Sequence, residues 1–366
     1  MSKPLIAIVG IALVLIAGVV GFMIGDDNSS SDEPTVTGTT GDTAVTGETG
    51  TTGTPDALGD ERLNGLNLTA YTPEGYSEEK VGEDLQKIKD IGSTAVTIVP
   101  TWYMKNSSAN TIQPNPNKTP SDTSLESVIG MAQDLDMKVI LKPHVDVIDE
   151  SFRGDIQPKD RTRWFTSYED FIGYYADFAT KVGADLFTVG TELRSVSGDT
   201  DPWRQVIEIV RGKFQGPLTY AANWDEVDQV QFWDSLDMIG VDAYYPLASE
   251  GSTPTEDELV SAWQTPIGSL QATSDRWGKD ILFTEIGYPS QPGAAAHPFE
   301  VREGEPEDQS AQATAYRAAF AAFADIPWMR GMSWWSWRAD PSKSEQLNID
   351  YTPEGKEAEG VLAEEQ

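Results

Sequence analysis

Two glutamates, Glu192 and Glu285, stand where carboxylates can do chemistry. Each directly follows a strongly apolar run, 186–190 and 281–284, where no charge is needed for solubility. If those runs are opposite strands of a closed barrel, the two carboxylates converge on one point at its mouth. A pair held about 5 to 5.5 Å apart suits double displacement at a sugar's anomeric carbon: one carboxyl protonates the leaving oxygen while the other, ionised, attacks. Their surroundings must then drive their pKa values apart. Further polar and aromatic side chains lie at or just beyond the ends of other apolar runs: Asn67, Trp102, Lys142, His144, Asp146, Asn223, Trp224, Asp242, Tyr244, Tyr288 and Trp335. Trp and Tyr faces offer flat apolar surface to the C–H face of a pyranose, and the polar groups offer hydrogen bonds to its hydroxyls. Lys142, His144 and Asp146, spaced by two, should face the same way from a strand end.

The elements that must hold these residues are legible as periodicity. Short apolar or alternating runs at 65–70, 95–100, 138–143, 186–190, 218–222, 238–241, 281–284 and 331–335 read as strands. Between them, 77–91, 125–135, 168–182, 202–213, 256–277 and 309–324 carry apolar residues at helical spacing, while a crossover near 227–233 is short. Eight such units predict an α/β fold, a (β/α)8 TIM barrel over 62–366, with the active site at the C-terminal ends of the strands. The alternative is an open doubly wound sheet, against which stands the absence of a Gly-rich phosphate-binding fingerprint at a strand end. Trp164, Trp203, Trp233, Trp263, Trp277 and Trp328 lie within or beside helices and read as core, whereas Trp102, Trp224 and Trp335 read as site residues.

Residues 4–25 are apolar and uncharged, long enough to cross a hydrocarbon core of about 30 Å. They predict a transmembrane anchor over 1–25, or a signal sequence if cleaved. Lys3 before the run and Asp26 and Asp27 after it place the remainder outside the cell. The Thr-, Gly- and Asp-rich stretch 26–61 reads as a disordered linker. With 59 acidic and 26 basic residues the formal charge is −33, which repels nucleic acid and suits a halophilic environment, where salt screens self-repulsion. No Cys and two His rule out thiolate metal sites and a Cys nucleophile. Neither a cofactor nor a metal is expected; the expected partners are a carbohydrate substrate and, through the anchor, a membrane, with the chain a monomer.

Five runs carry a resemblance to a known family: Gly65-Leu66-Asn67-Leu68-Thr69-Ala70-Tyr71, Val99-Pro100-Thr101-Trp102-Tyr103, Leu141-Lys142-Pro143-His144-Val145-Asp146, Val189-Gly190-Thr191-Glu192-Leu193 and Phe283-Thr284-Glu285-Ile286-Gly287-Tyr288. Over about residues 64–362 the chain resembles the clan A glycoside hydrolases and, within them, glycoside hydrolase family 113, chiefly retaining endo-β-1,4-mannanases. The resemblance implies Glu192 as general acid/base, Glu285 as nucleophile, Tyr244 as the residue orienting it, and Trp335 beneath the reactive sugar, with β-1,4-mannan the leading substrate. It departs at Thr191, where much of the clan carries an Asn that binds the sugar 2-hydroxyl.

Two other readings remain at this level. One is a metal-dependent barrel with His144, Asp146, Glu192, Asp242 and Glu285 as ligands. The other is a surface glycan-binding barrel without catalysis.

Overall fold

The computed structural model describes residues 58–59, 62–77, 79–339 and 348–366. The predicted anchor and nearly all of the predicted linker lie outside them. Among the described residues no helix is long and apolar enough to cross a membrane.

Eight parallel strands close on themselves: β1 (Gly65–Thr69), β2 (Ala95–Ile98), β5 (Lys138–Leu141), β7 (Leu186–Thr191), β8 (Leu218–Asn223), β9 (Ile239–Asp242), β10 (Ile281–Ile286) and β11 (Met329–Arg338), in that order round the barrel. Each coincides with one of the predicted strands, and closure disposes of the open-sheet alternative. Helices α1 (Glu79–Asp90), α2 (Asp122–Asp134), α3 (Arg161–Val182), α5 (Thr200–Arg211), α6 (Glu256–Trp277), α7 (Gln309–Phe323) and α8 (Glu357–Glu365) cross between strands or close the ring, and a single turn, α4 (Arg194–Ser197), follows β7. The connection from β8 to β9 contains only a 3-10 turn, Trp233–Ser235, where a short crossover was expected.

The helix ends follow local chemistry. Thr255 and Glu258 form a reciprocal capping box that starts α6, worth about 1 kcal/mol, and Gly278 ends it in a left-handed conformation, φ 62°. Trp164, Trp203, Trp233 and Trp263 are fully buried between helices and strands, as expected of core.

The barrel floor is sealed by Leu58, Leu63, Ala95, Ile140, Leu186, Met238 and Leu282. Leu58, near the end of the stretch read as linker, is buried in this cluster at the barrel bottom. Above this plug the interior turns polar. Thr97 and Ser333 share a hydrogen bond of 2.7 Å, and Asn67 donates to the Thr284 and Ser333 carbonyls at 3.2 and 3.1 Å.

A second, small sheet was not foreseen. Pro100 and Pro143 lack the N–H a ladder needs, so β2 and β5 stop at Ile98 and Leu141. Beyond the prolines the chain resumes as β3 (Thr101–Met104) and β6 (His144–Val147), which pair in parallel, with β4 (Ile112–Gln113) antiparallel on β3. This extension rises from the barrel rim and carries part of the site.

Candidate active site

Glu285 sits near the end of β10, 3% exposed. Its Oε1 accepts a hydrogen bond from Lys142 Nζ at 2.6 Å and its Oε2 one from the Tyr244 hydroxyl at 2.6 Å. Lys142 also donates to Asp242 Oδ1 at 2.9 Å, and that oxygen accepts from Thr284 Oγ1 at 2.7 Å. Lys142 and Asp242 are fully buried, so both lie beneath the site and brace Glu285. Burial, then the charge of Glu285, pushes the Asp242 pKa up to about 7, with Lys142 and Thr284 pulling against it.

Glu192 follows β7 in a left-handed backbone conformation, φ 52°, uncommon for a residue with a Cβ. Its Oε2 accepts from Arg153 Nη1 at 2.8 Å. The same guanidinium donates to Asp146 Oδ1 at 2.6 Å and, through Nε, to the Val145 carbonyl at 3.1 Å. Burial raises the Glu192 pKa well above the ordinary carboxylate value; the Arg153 charge opposes this, and the charges of Asp242 and Glu285 reinforce it. Four carboxylates, Asp146, Glu192, Asp242 and Glu285, thus share two cations, Lys142 and Arg153. In a buried setting such a surplus of acid favours retention of a proton.

His144 stacks on Trp335, ring centroids 5.9 Å apart and planes within 7°. Burial, aided by the charges of Arg153 and Lys142, holds its pKa well below the usual value, so it is neutral at pH 7. Its Nε2 lies 3.6 Å from Glu285 Oε1, too long for a hydrogen bond. A Cβ on Gly287 would lie 2.7 Å from the Trp335 carbonyl and 3.2 Å from the Tyr351 ring, so only glycine lets these two close in beside Glu285.

The structure brings together Glu192, Glu285, Lys142, His144, Asp146, Asp242, Tyr244 and Trp335. Asn223, with Trp224 beside it, ends the neighbouring strand β8; Asn223 Oδ1 accepts from the Trp224 N–H at 2.8 Å, and the partly exposed Trp224 ring lies 5.7 Å from Tyr245. Five residues expected to contact substrate lie elsewhere: Lys142 and Asp242, buried beneath the site as above, and Trp102, Tyr288 and Asn67. Trp102 points away, packed on Phe171, Tyr174 and Tyr175 with centroids 5.5 to 6.0 Å distant. Side chains alternate along β3, so Thr101 and Tyr103, opposite His144 and Asp146, take the site face that was assigned to Trp102. Tyr288 is fully buried and lies 6.3 Å from Tyr316 of α7, in the layer behind the barrel. Asn67 is fully buried and, like Lys142 and Asp242, supports the site from below.

Arg153 and Tyr351 were not singled out from sequence, whereas Tyr103 was named only as a neighbour of Trp102 at the strand end. The Tyr351 hydroxyl donates to the Pro298 carbonyl at 2.8 Å, and its ring lies 6.2 Å from Tyr244. Burial, then the charges of Glu285 and Glu192, raises its pKa. Arg153 and Tyr351 lie in connections without periodic pattern; the one signal was an acidic cluster needing a second cation.

The profile of glycoside hydrolase family 113 matches residues 69–356. The chain belongs to glycoside hydrolase family 113. Its fold is similar to that of a family 113 β-mannanase from Alicyclobacillus acidocaldarius, solved with the ligand ManMIm: 28% identity, TM-score 0.76, covering 84% of this chain and 98% of that one. A family 113 β-1,4-mannanase solved as a complex matches at 26% identity and TM-score 0.76, covering 83% and 98%. A β-glucuronidase from Ruminococcus gnavus, at 12% identity and TM-score 0.58 over 83% of this chain and 50% of that one, shares the fold alone. The comparison with curated proteins gives no match.

This family 113 protein is therefore a glycosidase whose substrate is a carbohydrate. The residues named for the metal-dependent alternative do not form a ligand cluster among the described residues. The chain's own cations, Lys142 and Arg153, lie against four of the five.

Proposed function

We propose that this family 113 glycoside hydrolase is a retaining endo-β-1,4-mannanase in which Glu285 attacks the anomeric carbon and Glu192 is the general acid/base. The observation that carries the reading is the unequal treatment of the two acids. Glu285 takes donors on both oxygens, from Lys142 and Tyr244, which fix its carboxylate in place for attack. Glu192 is buried with one cationic partner among competing anions, conditions that favour the protonated form.

In the first half-reaction Glu192 gives its proton to the glycosidic oxygen, the C1–O bond breaks, and a Glu285 oxygen bonds to C1. In the second, Glu192 takes a proton from water, whose oxygen bonds to C1 and releases Glu285. Partly exposed Trp335, stacked on His144, offers a flat surface for the sugar at the break point. The mannan assignment is supported by the two β-mannanases above, each covered over nearly its whole length.

The test is hydrolysis of β-mannan, xylan, cellulose and activated aryl glycosides by the parent, Glu285→Gln and Glu192→Gln. Mannan should be the preferred polymer and both variants should lose polymer hydrolysis, with azide restoring turnover of the aryl glycoside to Glu192→Gln only. Undiminished hydrolysis by either variant removes that residue from its role. An anchor or signal segment at 1–25 and work outside the cytoplasm complete the proposal, checked by fractionating cells that express the full chain.

A further inference from the structure

Behind Glu192 runs a chain of buried hydrogen bonds that the chemistry above does not use. Glu192 is held in its left-handed conformation by the two peptide N–H groups that flank its Cα. Its own N–H donates to the Ala221 carbonyl at 2.8 Å, and the Leu193 N–H donates to the Tyr220 hydroxyl at 3.0 Å. That hydroxyl in turn donates to Glu226 Oε1 at 2.6 Å, while Glu226 Oε2 accepts the Asn223 N–H at 3.0 Å. Tyr220 and Glu226 are both fully buried.

The sequence is fitted to this path. A Cβ on Gly190 would lie 2.7 Å from the Tyr220 ring and 2.8 Å from Trp203, so the glycine two residues before the acid is what lets the phenol pass under β7. Trp203 and Phe232 wall the ring at 5.2 and 5.3 Å. A tyrosine is not needed there for packing, since a phenylalanine would fill the same space. A carboxylate is not needed for solubility at a site closed to water. What the pair supplies is a fixed acceptor for the peptide that follows Glu192.

We propose that Tyr220 and Glu226 are positioning residues for the acid/base: the Glu226 carboxylate locks the Tyr220 hydroxyl, the hydroxyl locks the Leu193 peptide, and that peptide sets where the Glu192 carboxyl points. This rests on the reading of Glu192 as the acid. The carboxyl must reach the glycosidic oxygen at hydrogen-bond distance to transfer its proton, and a displacement of about 1 Å can cost on the order of a hundredfold in rate. Substrates whose leaving group departs without a proton escape that cost.

The test compares kcat/KM, which reports the first half-reaction, for β-mannan oligosaccharides and for 2,4-dinitrophenyl β-mannobioside. Tyr220→Phe keeps the ring and removes the acceptor. It should lower kcat/KM on the oligosaccharide by about 10- to 100-fold while that on the dinitrophenyl substrate falls less than about threefold. Glu226→Gln keeps the shape but turns one acceptor into a donor, and should show the same split more weakly. Glu192→Gln, run beside them, should show it most strongly. If Glu192→Gln shows the split and folded Tyr220→Phe and Glu226→Gln lose both substrates equally, or neither, the positioning role is overturned and the acid assignment survives. If Glu192→Gln itself loses both equally, the acid assignment fails. Should Tyr220→Phe not fold, Glu226→Gln carries the comparison alone.

Discussion

Replacing Lys142 by Met would remove the only lysine or arginine among the described residues in an ion pair with Asp242 and Glu285, at 2.9 and 2.6 Å, and would do so in a buried setting. Met has a similar stem, so the cavity stays filled and the charge is what changes. Breaking a buried pair by deleting one partner costs about 3–5 kcal/mol. At roughly 2–4 °C per kcal/mol for a large domain, Tm should fall by about 6–20 °C. The loss should depend on pH. Asp242 binds its proton more tightly folded than unfolded, its pKa moving from 3.8 to about 7. Its contribution to stability is therefore full below about pH 3.8 and lost as pH rises through about 7. Without Lys142, which pulls the Asp242 pKa down, Asp242 ionises still less readily, so Lys142→Met should lose more at pH 8 than at pH 5. Thermal unfolding followed by far-UV circular dichroism at both pH values measures this, and kcat/KM should fall at least tenfold because Glu285 loses a charged donor worth about 1.5–3 kcal/mol. An equal Tm loss at pH 5 and pH 8, or a loss below about 1 kcal/mol, would refute the claim that Lys142 neutralises this pair.

Arg153→Met should shift the basic limb of the kcat/KM profile upward, because the guanidinium lowers the Glu192 pKa and its removal raises it; a limb that stays or moves down contradicts that coupling. Trp335→Ala should cut mannan hydrolysis by tenfold or more, while Trp102→Ala, whose ring packs on α3, should leave kcat/KM within about twofold at a temperature where both are folded. The charge of −33 predicts a Tm that climbs between 0.1 and 2 M NaCl, where the screening length drops from about 10 Å to under 3 Å; a Tm highest in dilute buffer would show that the acidic surface is not adapted to salt.

The barrel was legible because its strands are short apolar runs broken by helical patterns, and α6 has the bounds its periodicity gives, 256–277. Glu192 and Glu285 were legible as candidates because an acid that follows a buried apolar run has no solubility role; Glu192 lies just after β7 and Glu285 near the end of β10. What sequence hid was orientation. Tyr103 and Trp102 are neighbours, and which of them faces the site depends on register across β3 and β6, which prolines at 100 and 143 reset. Lys142 and Asp242 sit at the right ends of the right strands and Asn67 in the middle of β1, and depth in the barrel decides whether a residue touches substrate or braces one that does. Arg153 and Tyr351 arrive from aperiodic connections, where no local rule foretells a long-range contact. Tyr220 and Glu226 read as an ordinary strand tyrosine and a turn acid; only the bond to Leu193 sets them apart.

The most direct test of the division of labour between the two acids is to trap the covalent intermediate. Incubation with a 2-deoxy-2-fluoro-β-mannosyl fluoride, followed by intact mass and peptide mapping, should show one fluoromannosyl adduct per chain, on Glu285 and absent from Glu285→Gln. An adduct on Glu192, or none while mannan is hydrolysed with the α-anomer as the first product, would contradict Glu285 as the nucleophile.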